Sequence, residues 1–257
     1  PGGVTTAGVG DAAGPARVYE SSNSSWTQLG GDMDGEAAGD WFGGSVSIDS
    51  DGDRVAVGAT LNGGYGGHVR VIEIGSVTIS GNSGFRMMSS PVAGQVYSDL
   101  LAELWTQGMT GADATSGDAN VWTYSVAGQS WSALTNLSTA SLTAGAGFLV
   151  YVYADTDSDG DDDLAVTLSV NGTANTSSAT VGSIADGEWA LIGKPYVATI
   201  DWDNVSKTNL TTSAYVYDDA NSRYNAWNGS SGDLSNGLIA AYQGLWVRAS
   251  GGTGSIT

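Results

Sequence analysis

The sequence predicts an all-β fold on three observations. Apolar and polar residues alternate over short runs, the pattern of half-buried strands. Gly, Asn, Asp and Ser fill the gaps between runs, which is turn chemistry. Lys and Arg together number only 8 in 257 residues, too few for the charged outer faces of surface helices.

The elements follow in chain order. Residues 1–15 are rich in Gly, Ala and Thr and read as an extended N-terminal arm. Such an arm is either a tail or a strand that pairs with a neighbouring molecule. Strand patterns then occupy 17–20, 26–29, 45–48, 54–59 and 68–74. From 76 onward strand patterns recur at 76–79, 84–88, 120–124, 147–153, 164–170, 188–192, 214–217 and 244–249. Their spacing, with turn residues between, predicts a β-sandwich over 76–257. One short helix is expected over 96–107, with Leu100, Leu101 and Leu104 as its apolar face and Ser98-Asp99 capping its start.

Two stretches carry family resemblances. The run Asp40-Trp41-Phe42-Gly43-Gly44-Ser45-Val46-Ser47-Ile48, then Asp49-Ser50-Asp51-Gly52-Asp53-Arg54, then Val55-Ala56-Val57-Gly58-Ala59-Thr60 resembles the FG-GAP repeat of integrin-α-type propellers. The resemblance implies one propeller-type blade of four to five short antiparallel strands over 16–75. Residues 16–20 echo the closing strand at 68–74, like the tail of a previous repeat. No second copy follows, and a repeat unit needs neighbours to cover its apolar faces. The expected neighbour is another copy, so a homo-oligomer or self-polymer is expected. The second region resembles a domain found upstream of the sorting domains of type IX secretion substrates in bacterial surface proteins. The matching phrases are Gly84-Phe85-Arg86-Met87-Met88-Ser89-Ser90-Pro91, Leu104-Trp105-Thr106-Gln107-Gly108, 187–196 and Tyr242-Gln243-Gly244-Leu245-Trp246-Val247. That resemblance implies secretion and no particular chemistry.

Acidic loops are the main chemical signal. Asp155, Asp157, Asp159, Asp161 and Asp163 crowd one segment with Gly160 at its turn. Carboxylates at alternate positions followed by glycine match the start of a Ca²⁺ loop. Val166 stands where a bidentate Glu is expected, and Asp163 is the expected substitute. The alternative is a hydrated acidic hairpin loop. Weaker metal candidates are Asp32, Asp34, Glu36 and Asp40. Asp49, Asp51 and Asp53 lie where integrin-type blades carry Ca²⁺, but a tight Asp-Gly hairpin turn is the favoured reading there.

Composition excludes several classes. A net charge of −19 argues against nucleic acid, whose phosphates need a basic patch, and against anionic membrane surfaces. No apolar run is long enough to span a bilayer, so no membrane insertion is expected. Cysteine is absent, which removes disulfides, thiolate metal sites and a Cys nucleophile. His68 is the only histidine, so a serine triad has almost nothing to stand on. Asp201/Asp203 and Asp218/Asp219 are carboxylate pairs of the kind glycosidases use, but Asp is common in every turn here. Trp202 is expected in the core. Exposed Trp and Tyr stack well on sugar rings, though most are expected to fill the sandwich. Asn-x-Ser/Thr triplets at Asn23, Asn136, Asn171, Asn175, Asn204, Asn209 and Asn228 permit glycosylation. Starting at Pro1-Gly2-Gly3, the chain reads as a processed or trimmed product.

The function expected is that of a non-enzymatic, secreted structural or adhesive protein at the cell surface. It would be a self-assembling, Ca²⁺-stabilised subunit of an extracellular filament or surface layer. A glycan or surface partner is possible in principle. The alternative is a fragment of a larger secreted protein that serves as a ligand- or carbohydrate-binding module.

Overall fold

The computed structural model describes residues 3–6, 15–22, 25–49, 54–174, 179–196 and 199–257. The fold is all-β. In chain order the strands are β1 (Gly3–Thr6), β2 (Ala16–Ser22), β3 (Ser25–Met33), β4 (Phe42–Ile48), β5 (Arg54–Ala59), β6 (His68–Ile79), β7 (Gly84–Ser89), β8 (Val92–Ala93), β9 (Val121–Ser125), β10 (Ser130–Ala133), β11 (Gly147–Val152), β12 (Val166–Ala174), β13 (Val181–Ile184), β14 (Trp189–Gly193), β15 (Ile200–Asp201), β16 (Lys207–Thr208), β17 (Ala214–Asp218), β18 (Arg223–Trp227), β19 (Leu238–Ile239), β20 (Gly244–Arg248) and β21 (Gly254–Ile256). No helix among the described residues is long and apolar enough to cross a membrane.

The chain divides into two compact units. The first comprises Pro1–Ser76 with Ser169–Ala174, and the second Val77–Leu168 with Asn175–Thr257. In the first unit a three-stranded sheet runs β1-β2-β3, and a second runs β4-β5-β6-β12. The segment Gly3–Thr6, expected in the arm, pairs antiparallel with 16–19 of its own chain. Inward residues of the two sheets form one cluster: Ala16, Val18, Met33, Phe42, Val55, Val57, Ala59 and Ile72. The period-2 alternation puts Val55, Val57 and Ile72 inside. It leaves Val69 and Val71 outside, 64% and 55% exposed. The blade-like segment therefore covers one set of its apolar residues by itself.

In the second unit a duplication emerges that the sequence reading did not find. One sheet has the order β10-β9-β11-β7, the other β18-β17-β20-β14. The registers agree pair for pair. Leu149 lies opposite Met87 and Trp122, and Trp246 lies opposite Leu191 and Tyr215. Trp131 pairs with Tyr124, and Tyr224 pairs with Tyr217. The hairpin loops 126–129 and 219–222 are equal in length, and each ends on a residue with positive φ, Gln129 and Ser222. Gly145 and Tyr242, each just ahead of the third strand of its half, also share positive φ.

The halves meet reciprocally, as a local two-fold requires. The Ser89 N–H donates to the Tyr242 carbonyl at 2.8 Å, and the Gly193 N–H donates to the Gly145 carbonyl at 2.8 Å. Met88 bridges Gln243, and Ile192 bridges Ala146. Glycine is required at this junction because backbones nearly touch. A Cβ on Gly193 would lie 2.3 Å from the Ala146 carbonyl oxygen, and one on Gly244 would lie 2.8 Å from that of Met88.

Each sheet buries one face. Phe148, Val150 and Val152 point inward on β11, and Tyr97 meets Phe148 edge-on with centroids 5.0 Å apart. Leu245 and Val247 do the same on β20, within a cluster that holds Ala190, Ile192, Trp202 and Trp227. Trp202 is thus a core residue, as expected.

The helix expected over 96–107 is a correction. Only Tyr97–Leu100 is helical. Asp99 does serve the start, accepting the Val96 N–H at 3.2 Å. Beyond Leu101 side chains take the backbone donors that a helix would have used. Asp113 accepts the Thr106 N–H at 2.8 Å, and Asn120 accepts the Gln107 N–H at 2.9 Å. Leu100, Leu101 and Leu104 are all buried, but from a coiled path rather than a helical face.

Candidate functional site

The opposite faces of the two sheets carry aromatic rings. On β9 and β10 these are Tyr124 and Trp131, on β14 and β17 Trp189 and Tyr215, and on β20 Trp246. Alternation along each strand sends them away from the buried faces. Trp246 is the hub. Its ring centroid lies 4.6 Å from Tyr124, 5.6 Å from Trp131 and 6.5 Å from Trp189, all edge-to-face. Trp189 meets Tyr215 at 5.4 Å. Edge-to-face contact suits the ring quadrupoles and fixes the rings without covering them.

These rings, with Gln129 and Tyr224, line a cleft of about 580 Å³, within the range of small-molecule sites. Trp131 and Tyr224 remain 42% and 52% exposed. Gln129 is a fixed strut. Its Oε1 accepts the Trp189 N–H at 3.0 Å and the Tyr124 hydroxyl at 3.2 Å, and its Nε2 donates to the Trp189 carbonyl at 2.8 Å. Desolvation, then the charge of Glu188, pushes the Tyr124 phenol up, so it stays a neutral donor. The indole N–H groups of Trp131, Trp189 and Trp246 and the hydroxyls of Tyr215 and Tyr224 make no hydrogen bond among the described residues. Among the described residues no charged side chain lines the cleft. Arg248 stands at its edge, with its guanidinium 5.7 Å from the Trp189 ring.

The sequence singled out carboxylates instead. Among the described residues Asp155, Asp157 and Asp159 converge, each offering an oxygen within 4.8 Å of the others. Asp155 also organises the turn, accepting the N–H groups of Ser158 at 2.6 Å, Asp159 at 3.2 Å and Gly160 at 3.0 Å. Asp161 and Asp163 lie outside this triad. Asp163 instead accepts the Thr156 N–H at 2.8 Å and closes the loop. The Asp157 carboxyl is pushed up, by loss of solvation first and then by the charges of Asp159, Asp163 and Asp155, against the pull of the Asp159 N–H.

The weaker metal candidates serve as tethers where they are described. Asp40 accepts the Ala37 N–H at 3.0 Å and the Asn62 amide at 3.0 Å. Glu36 accepts from the same amide at 3.1 Å and lies 3.6 Å from His68. Arg70 reaches the Asp34 carbonyl at 2.8 Å. The Asp49 N–H donates to the Arg54 carbonyl at 3.0 Å, and the Asp49 carboxylate accepts the Arg54 N–H at 3.3 Å. Asp51 and Asp53 lie outside the described residues, as does the Asp32 side chain.

The carboxylate pairs considered for hydrolysis are spent on the fold. Asp203 accepts the Trp227 indole N–H at 3.0 Å, and Asp201 accepts the Asp203 N–H at 3.0 Å. Asp219 accepts the Phe85 N–H at 3.0 Å, and Asp218 accepts from the Asn221 amide at 2.8 Å. That amide is the main reason the Asp218 carboxyl is held down.

The cleft was missed because its rings come from strands far apart in sequence. One signal was available: Phe85, Tyr124, Trp131 and Leu149 recur, in matching phrases, as Trp189, Tyr217, Tyr224 and Trp246. Comparison with protein-family models, with curated proteins and with solved structures found no match to this chain.

Proposed function

We propose that this chain is a non-catalytic binding module whose aromatic cleft takes a neutral carbohydrate. One observation carries the proposal: half-exposed Trp and Tyr rings line a cleft in which indole and phenol donors are unspent. Sugar rings present C–H faces that pack on aromatic rings and hydroxyls that pair with such donors. A neutral ligand fits because the described lining of the cleft is uncharged in a chain of net charge −19. An anionic glycan would be repelled by that charge. The Asp155, Asp157 and Asp159 triad would take Ca²⁺, whose oxygen preference matches three carboxylates. The location that goes with a glycan-binding module is extracellular, in keeping with the secretion that the resemblance of the second region implies.

The test is a glycan array read with the full chain and with Trp131→Ala and Trp189→Ala. Binding to neutral glycans, weakened roughly tenfold or more by each substitution, supports the proposal. Binding that both variants retain sinks it.

A second reading keeps the self-assembling surface protein. Its support is the exposure of Val69 and Val71 on the outward face of β6. Sedimentation at rising concentration tests it, with Val69→Thr/Val71→Thr as the comparison. A monomer at every concentration overturns it.

A further inference from the structure

We propose that the cleft is one of two subsites in a single groove built on the local two-fold, so that its ligand is an oligosaccharide. This rests on the carbohydrate reading above. A second cavity, of about 290 Å³, lies beside the first. The duplication accounts for most of its lining. Exchanging residues of the first cavity for their counterparts in the other half turns Trp189 into Phe85, Trp246 into Leu149 and Tyr124 into Tyr217, while the counterparts of Gln129 and Tyr215, Ser222 and Trp122, do not line it. Phe85, Leu149 and Tyr217 all line the second cavity. Trp131 and Tyr224 are counterparts of each other and line both cavities, as does Trp246. The two spaces are therefore adjacent and share one aromatic wall.

The subsites are unequal in chemistry. The first has Trp189 and Trp246, with their ring faces and indole donors. The second has Phe85 and Leu149 at those positions, which offer apolar contact and no donor. A single sugar therefore fills the first subsite, and a linked sugar gains packing in the second. Affinity rises in one step on lengthening the ligand and then levels off, because the shared wall ends with the second cavity. A tethered second contact raises affinity by effective concentration, and about tenfold is expected for one weakly apolar subsite.

The experiment follows tryptophan fluorescence of the full chain during titration. The probes are ladders of one to six β-linked glucose, N-acetylglucosamine or mannose units, and a ten-residue polyproline peptide. The expected result is a gain of about tenfold between one and three sugars with at least one ladder, and no further gain beyond. Leu149→Thr, which keeps a strand-favouring residue, should remove the gain and leave the single-sugar affinity unchanged. Tyr217→Ser should also remove the gain, and melting curves establish that both variants fold. Saccharide binding that ignores chain length, or a gain that survives both substitutions, overturns the two-subsite proposal and leaves the carbohydrate reading standing. A response to the peptide alone, or to no probe, overturns the carbohydrate reading itself.

Discussion

Gly193→Ala is the sharpest test of the junction between the two halves. The new methyl would sit 2.3 Å from the Ala146 carbonyl oxygen, 2.5 Å from the Ser89 Cβ and 2.7 Å from the Ala146 carbonyl carbon. Two of these neighbours are backbone and the third is fixed to it, so no rotamer change relieves the clash. The strands must part by about 1 Å to restore ordinary contact. Overpacking of this kind costs about 1–3 kcal/mol. Parting the strands also strains the Gly193 N–H bond to Gly145 and its reciprocal from Ser89 to Tyr242, each worth about 1 kcal/mol. Against this, Ala lowers the entropy of the unfolded chain, a gain of about 0.4–1 kcal/mol. The net is a loss of about 2–4 kcal/mol. In a unit of this size that lowers the melting temperature by roughly 5–15 °C. Gly182→Ala is the control. Its Cβ would meet only the Ser255 Cβ, at an ordinary 3.6 Å, so its melting should stay within about 1 °C of wild type. Calorimetry or circular dichroism reads both. Equal melting temperatures for Gly193→Ala and wild type would refute the close junction, and with it the local two-fold.

Other outcomes follow from single contacts. Asn120 is 1% exposed. It donates to the carbonyls of Trp105 and Tyr151 at 2.9 and 3.0 Å and accepts the Gln107 N–H at 2.9 Å. Asn120→Ala should cost about 3 kcal/mol in urea unfolding, and a loss below about 1 kcal/mol would contradict that network. Burial pushes the Tyr97 phenol up from 10.0 to about 12. The unfolded chain therefore ionises first as pH rises, and stability is lost between pH 10 and about 12, by roughly 2–3 kcal/mol. Tyr97→Phe should remove that component of the pH dependence, and identical profiles for the two proteins would exclude it. Millimolar Ca²⁺ should raise the melting temperature of wild type and not of Asp155→Ala/Asp157→Ala. Chelation should reverse the rise, since an ion bound only by the folded state stabilises by mass action. The same shift in both proteins would rule out the triad as the site.

The strands and the sheet-poor junctions between them were legible because they depend on local alternation and turn residues. Val55 with Val57, or Phe148 with Val150, declare an inward face within one strand. The helix over 96–107 was misread because its rival was remote. Asp113 and Asn120 capture the Thr106 and Gln107 donors, and no periodicity count includes them. The acidic loop was legible because its carboxylates are neighbours in sequence, yet only Asp155, Asp157 and Asp159 converge. Asp163 goes to loop closure, where its carboxylate accepts the Thr156 N–H and hydroxyl.

The sequence by itself determined the class of fold, the strand-bearing segments, the acidic loop and the scarcity of catalytic groups. All of these depend on composition or on residues a few positions apart. The tertiary structure decided the duplication, the glycine junction and the aromatic groove. Those depend on which strands pair and in what register, and register sends whole rows of side chains to one face or the other. Trp131, Trp189 and Trp246 become one surface only after two sheets with the same topology close on each other.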